Sequence, residues 1–559
     1  MKAKTLIIGL IVTVFCGCNN FLDENPYSFA SGEVLFTSAE NAEMALTGVY
    51  DVLTASNIQG NAEFGMFSRN IHLLSQLGCD EMIGRTDFIP KADNIPFCNY
   101  TYNSESRLLS DTWFALYAGI HRANVVLANL PSVPMDSTRK AEIMLEAKFM
   151  RAFFYSYLTW FFGAVPLQLS TENGLLPRSS IQDVSTVVIS DMEAAYAQLP
   201  VKNKYDSRIN KYSAGAFLLR VYLYLAACKE NKVGQSFDFT LNSFDWVDSP
   251  AYYTRARDIA KDIYENSSYI LLKEYRYNFM ADNLKLKAEQ GKEAIMLATC
   301  GIAGRRFFFF GELTGPAGHV RINGGGSGWY PAQGELASLY NPDDIRFKQN
   351  IGGACRTNPP FQTENILGVT YHVPEKLYNE GRNTFLTKFR QSDPAEREAA
   401  GVPFYLSIMN IPIVRLADVI LMYAEAAYKI GDEATARVLL EKIRYRAAYE
   451  DAMLAETLKN EYFKADFMEE LKDERSRELC AECLRRFDLI RWGKLEEVVQ
   501  NLKTSNENGL IPNVFYFNES YVQPIKDNFE TYKIWYPIPM REYKLNPLLE
   551  QNPGWERKI

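Results

Sequence analysis

Histidine is scarce in this 559-residue chain, and the four that occur, His72, His121, His319 and His372, are scattered. There is no H-E-x-x-H and no close pair, so no histidine-based zinc centre can be assigned. No glycine cluster leads into a P-loop lysine, which removes that phosphate cradle. The run from Gly324 through Ser327 to Trp329 approximates a G-x-S-x-G elbow, but Trp329 occupies the last glycine position and no strand–turn–helix pattern surrounds it. Cysteine is sparse too, nine residues without framework spacing. The one C-x-x-C, Cys480 to Cys483, has no second pair to make a zinc site and lies inside a long helical pattern. Buried packing thiols are the main expectation there, with a functional dithiol or a local disulfide as the alternatives. No EF-hand-like loop is present, and Asn341-Pro-Asp343-Asp344 reads as a helix-breaking turn. No cofactor and no metal are expected.

An excess of basic residues is also missing. Lys and Arg number 60 against 68 Asp and Glu, a net charge of −8. Nucleic acid is therefore an unsuitable partner, since phosphate neutralisation needs clustered cations. Beyond the N-terminus no apolar run is long enough for a transmembrane helix.

What the N-terminus holds is a processing signal. Lys2 and Lys4 precede the apolar stretch from Thr5 to Phe15, which is of h-region length, and Cys16-Gly17-Cys18 follows. Residues 1–17 read as a lipoprotein signal peptide, with lipidation of Cys18 holding the chain to a membrane. Aromatics are 13% of residues, including 33 Tyr and 34 Phe. That exceeds what a core alone suggests and suits stacking on sugars or peptides.

Helical periodicity dominates the rest. It predicts helices over Ala39–Leu53 (Ser38 as cap), Leu108–Leu130, Ser137–Phe162, Ile181–Leu199, Lys211–Ala227, Tyr252–Tyr264, Ile413–Ile430, Glu433–Ala448 and Asp466–Trp492. Small residues at Ala424, Ala427, Gly431 and Ala434 suggest tetratricopeptide-type pairing, where two helices approach closely. Residues 59–107, 273–412 and 505–559 are rich in loop signals, and loops of that length usually carry function or pack as their own layer. The mature chain, 18–559, reads as one unit: an N-terminal part to 230, a loop-rich region over 231–412 and a C-terminal part over 413–559.

Several motifs resemble one known family in order along the chain. They include Cys18-Asn-Asn-Phe-Leu-Asp23, Trp113 through Arg122-Ala-Asn124, and Glu146-Ala-Lys-Phe-Met-Arg151 with Phe162-Gly163 and Pro166. Arg415-Leu-Ala-Asp418, Glu474-Arg-Ser-Arg477-Glu478, Arg486-Phe-Asp488 through Arg491-Trp492-Gly493, and Gln551-Asn552-Pro553-Gly554 continue the match. On these residues the chain is similar to the SusD/RagB lipoproteins. The resemblance implies a mostly α fold, with tetratricopeptide-like helix pairs forming a right-handed superhelical scaffold and a loop-rich ligand-binding face. It also implies a position at the cell exterior, a SusC-like TonB-dependent transporter as partner for which the lipoprotein is the lid, and a glycan or peptide ligand. No enzyme activity is expected. A surface glycoside hydrolase would need two carboxylates across a cleft. Glu474, Glu478 and Glu482 instead read as a stripe on one helix, ion-paired at i, i+3 and i, i+4 with neighbouring arginines. Arg415, Asp418, Arg151 and Glu146 read as structural in the same way.

No motif carries the family's ligand residues to this sequence, so the contact candidates rest on composition. A sugar site needs flat aromatic faces beside amides or arginine. Two segments offer these: Asn99, Tyr100, Tyr102 and Asn103, and then Phe309, Arg321, Asn323, Trp329 and Tyr330.

Overall fold

The computed structural model describes residues 36–54, 65–84, 94–172, 174–279, 291–301, 314, 328–352, 362–366, 369–373, 385–389, 409–505 and 516–556. Its frame is a run of antiparallel helices: α1 (Ala39–Asp51), α2 (Ile71–Gln76), α3 (Arg107–Asn129), α4 (Ser137–Phe162), α5 (Ile181–Gln198), α6 (Lys211–Glu230) and α7 (Ser249–Asn266). After a loop-rich stretch containing α8 (Ile345–Asn350) the run resumes with α9 (Leu416–Lys429), α10 (Glu433–Ala447), α11 (Ala452–Tyr462), α12 (Phe467–Leu479) and α13 (Arg485–Arg491), and α14 (Glu519–Asn528) follows.

Local chemistry sets the helix starts. Ser38, Asp136, Ser180, Asn210, Asp248, Asp432 and Asp466 each accept a backbone N–H of the first turn, for example Arg139 N to Asp136 Oδ1 at 2.8 Å. Such caps satisfy donors that the helix itself leaves free. α4 ends at Gly163, whose φ of +72° is costly for any residue with a Cβ.

Each of α3 to α6 packs on the next, and α7 packs on α9, which pairs with α10. α6 is buried without a break from Tyr212 to Cys228, so it is apolar all round and sits inside the stack rather than on it. Gly119 of α3 shows how closely the helices meet: a Cβ there would fall 2.4 Å from the Phe154 ring of α4.

Two predicted helices are corrected. The stretch from Ile413 begins as a strand: β4 (Ile411–Arg415) pairs antiparallel with β1 (Ala294–Ala298), and α9 starts only at Leu416. β-Branched Ile411, Ile413 and Val414 around Pro412 favour the extended form, and both faces of the strand are buried. A hairpin of β2 (Gln362–Ile366) and β3 (Val369–Val373) lies between them in sequence. The second correction is the helix expected over Asp466–Trp492. It breaks at Cys480, where Ala481 (φ +63°) and Cys483 (φ +66°) turn through the left-handed region before α13. Neighbours fix this turn: Ala481 N donates to Glu81 Oε2 at 3.2 Å and the Ala481 carbonyl meets His72 Nδ1 at 3.2 Å. α11 and α14 were not anticipated.

Candidate functional site

The two segments singled out for aromatic and amide content are held by one buried backbone pairing. Residues 81–83 run antiparallel to 331–333, with Ile83 N donating to Pro331 O (3.1 Å) and Gln333 N to Glu81 O (2.9 Å). The helical turn Ile95–Cys98 closes over this pair: a Cβ on Gly84 would lie 2.4 Å from Cys98 Sγ. Burial pushes the Tyr330 phenol far up, and the Cys98 thiol adds to the shift, so the second segment lies beside the first.

Within this arrangement the candidates divide. Tyr100, expected to face ligand, is a core residue: it is 1% exposed, donates from Oη to Gly78 O at 2.5 Å and meets Phe529 edge-on at 4.9 Å between ring centroids. Tyr102 is stacked on Phe97 at 5.0 Å and donates to Lys533 O. Tyr330 is fully buried, and its Oη has no hydrogen-bond partner among the described residues. These three rings offer no face to a ligand; they anchor the backbone that displays their neighbours. Their neighbours cover them: Phe529 and Gly78 close over Tyr100, and Phe97 and Tyr536 pack on Tyr102. Asn103 is exposed and Asn99 half-buried, with Asn99 Oδ1 accepting from Thr101 Oγ1 (2.8 Å) and Asn103 Oδ1 from Glu105 N (2.9 Å). Trp329 is half-buried, one side against the main core. Phe309, Arg321, Asn323 and the expected lipidation residue Cys18 lie outside the described residues.

Beneath this face lies a buried charge cluster built from α12, β4 and the loop-rich region. Glu474 meets Arg346 (2.7 Å) and Arg444 (2.9 Å). Glu478 meets Arg415 (2.5 Å), Arg346 (3.1 Å) and Arg446. Glu482, past the helix break, meets Lys388 (2.6 Å) and Arg415 (2.8 Å). Among the described residues of 474–482, Arg477–Glu474 is the one pair within the segment. The expected intrahelical ladder is therefore a set of bridges between elements, because this side of α12 is buried and its charges can pair only with what covers them. Tyr275 and Phe279 lay their rings over the cations, with Lys388 Nζ 4.7 Å from the Phe279 centroid. Arg151–Asp191, Arg208–Glu146 and the contacts of Asp418 with Arg220 and Arg475 are bridges of the same kind, while Arg139 pairs with Glu146 within α4.

Burial alone would raise the carboxyl pKa values in the cluster, but the guanidinium groups reverse it. Glu478 is brought down to about 2 by Arg446, Arg415 and Arg346, and Glu474 is held well below its usual range by Arg477, Arg346 and Arg444. Neither can serve as the proton donor of a hydrolytic pair, whose pKa must be raised. Glu81 is the contrasting group: burial lifts it to about 7, against the pull of Arg485. Its Oε1 accepts from Ser476 Oγ at 3.2 Å, and its carbonyl holds Gln333, so it ties the displaying segment to α12.

Cys79, Cys98, Cys228, Cys300, Cys480 and Cys483 are free thiols. Burial raises Cys480 to about 11 and Cys79 to about 12, the behaviour of packing thiols rather than nucleophiles. Asp344, in the acidic turn noted above, caps α8 and pairs with Arg346 at 2.7 Å. Among the described residues no group of three or more His, Cys, Asp or Glu is placed to hold a metal ion, and no helix is long and apolar enough to cross a membrane. Sequence reasoning missed Arg346, Lys388, Glu293 and Glu81. Each lies in a segment without sustained helical period, and only the fold shows its partner.

Two family models match the chain. One, described as the SusD family, covers residues 329–555, and one described as starch-binding and associating with the outer membrane covers residues 20–223. A SusD-like protein, P25, of Formosa agariphila is 25% identical, with 98% of each chain covered. Among solved structures, a laminarin-binding SusD-like protein superposes with a TM-score of 0.65 at 22% identity, covering 93% of this chain and all of its own. A protein crystallised with a xylogluco-oligosaccharide gives 0.68 at 19% identity, covering 91% of this chain and 97% of its own.

Proposed function

This chain belongs to the SusD family, and from that premise we propose that it captures oligosaccharide or polysaccharide at the outer membrane and passes it to a SusC-like TonB-dependent transporter as the transporter's lid. Lipid on Cys18 is the anchor, and the ligand face is turned to the cell exterior. The observation that carries the reading is the match of both halves of the chain to SusD-type models, one of them named for starch binding. The similarly folded laminarin-binding protein and the one crystallised with a xylogluco-oligosaccharide support a glycan as the ligand class. The role is binding and transfer, without bond cleavage; the low pKa values of Glu474 and Glu478 support that part.

Capture on this scaffold rests on a rigid base and a displayed rim. Trp329 supplies the stacking surface, and Asn99 and Asn103 supply hydrogen-bonding groups beside it, with Phe309, Arg321 and Asn323 as further contacts from the neighbouring loop. Tyr100, Tyr102 and Tyr330 hold that rim in place from below.

The test is affinity electrophoresis of the soluble chain from Asn19 through gels containing laminarin, xyloglucan or starch, with a peptide panel alongside. Retardation in one glycan, reduced in Trp329→Ala with its melting temperature kept, is the expected result. Mobility unchanged in all glycans together with peptide binding would replace sugar by peptide as the ligand.

A further inference from the structure

A second concave surface lies among α7, α9, α10 and α11, and none of its lining residues belongs to the 97–103 or 328–333 segments. It is a groove of about 790 Å³. That is within the usual range for a small-molecule site, a few hundred to about 1,000 Å³. The walls carry three phenol rings, Tyr264, Tyr269 and Tyr445. Tyr445 is 47% exposed, and Ile270 and Val438 in the same wall are also exposed, with Met453 and Tyr449 nearby in sequence. Exposed large apolar side chains gathered round one concavity mark a contact surface rather than chance exposure.

The polar part of the lining narrows the ligand. Lys442 and Glu456 stand exposed at the rim, and Lys459 pairs with Glu441 at 2.9 Å across α10 and α11. Cations and carboxylates alternate, so the groove has no single sign with which to hold a phosphate or another strongly charged group. Arg444 lines the groove and is 2% exposed; its Nε and Nη1 are taken by Glu474 and Glu470. Flat rings for C–H faces and mixed donors and acceptors at the rim are the features that recognise a hydroxyl-rich, uncharged ligand.

From these features we infer that the groove is a second carbohydrate subsite, taking a few sugar units of the same polysaccharide that the Trp329 rim holds. The inference rests on the glycan reading of the chain. A long polymer engaging two subsites on one rigid frame gains avidity, since the second contact forms at high effective concentration.

The experiment combines calorimetric titration with backbone hydrogen exchange, using laminarin, xyloglucan and maltose-series oligosaccharides. The proteins are the soluble chain, Tyr445→Ala, Val438→Glu and Trp329→Ala. Tyr445 and Val438 are exposed, so neither change threatens the fold. Two sugar sites per chain are expected for the unaltered protein. One of them, with protection over 438–456, weakens about tenfold in Tyr445→Ala and in Val438→Glu, as loss of a stacking ring implies. That site persists in Trp329→Ala. A single site, abolished by Trp329→Ala and without protection over 438–456, overturns the inference and leaves the glycan reading standing. Protection of the groove by an amphipathic peptide instead of sugar also overturns it. Failure of every oligosaccharide to bind anywhere contradicts both readings together.

Discussion

Tyr100 separates contact from support at the scale of single residues. Its left-handed backbone (φ +58°), its hydrogen bond to Gly78 O and its place beneath Arg486 and Phe529 make it part of the base. Tyr100→Ala is expected to cost about 3 to 5 kcal/mol, the range for an aromatic ring removed from a core. Tyr100→Phe should cost about 1 kcal/mol, the net value of one hydrogen bond. Urea unfolding checks both. If Tyr100→Ala unfolds with the unaltered midpoint, the ring is not where the structure places it. Of the residues that composition singled out, Asn99, Asn103 and Trp329 reach the surface or its edge. Composition could not tell which rings point inward, because an alternating aromatic segment looks the same from either side until a partner such as Phe529 covers one of them. Arg346 and Lys388 were illegible for a related reason: a cation outside any sustained helical pattern gives no local sign that it is destined for a buried carboxylate some 90 to 130 residues further on.

Among the elements, those with a cap and a sustained apolar period were legible almost to the residue. α4 runs from Ser137 to Phe162, as its Asp136 cap and Gly163 stop require. The break at Cys480 was not legible, because Glu474 to Trp492 keeps helical spacing through it. What stops the helix is tertiary: Glu81 takes the amide of Ala481, and His72 meets its carbonyl. This account makes a comparison testable. Ala481 pays about 1 to 2 kcal/mol for a left-handed backbone, which glycine does not. Ala424, equally buried within α9, has no such strain to relieve. Ala481→Gly should therefore be milder than Ala424→Gly by about 1 kcal/mol or more, read from the two unfolding midpoints. Equal losses would mean that the helix continues through the C-x-x-C.

For the whole molecule, the stacked helices and the buried ion-pair cluster serve one end, a stiff platform under a loop-borne rim. α12 is the meeting point. Its carboxylates join Arg346 and, with Glu482 beyond the break, Lys388 from the loop-rich region to Arg415 of β4 and to Arg444 and Arg446 of α10. Pairs buried this deeply fix arrangement more than they add stability, since each charge has first lost its water. On the proposed reading, a fixed shape of that kind lets the loop-borne face hold a flexible polymer.

The claim that matters most is capture at the cell surface through a lipid-held chain. Intact cells producing the full chain, or its Cys18→Ala variant, would be incubated with a fluorescein-labelled form of the polysaccharide that retards the soluble protein. The account predicts bound fluorescence on cells with the unaltered chain, removable by external protease, and little on cells with Cys18→Ala. Equal labelling of the two, or labelling that survives protease, would contradict it.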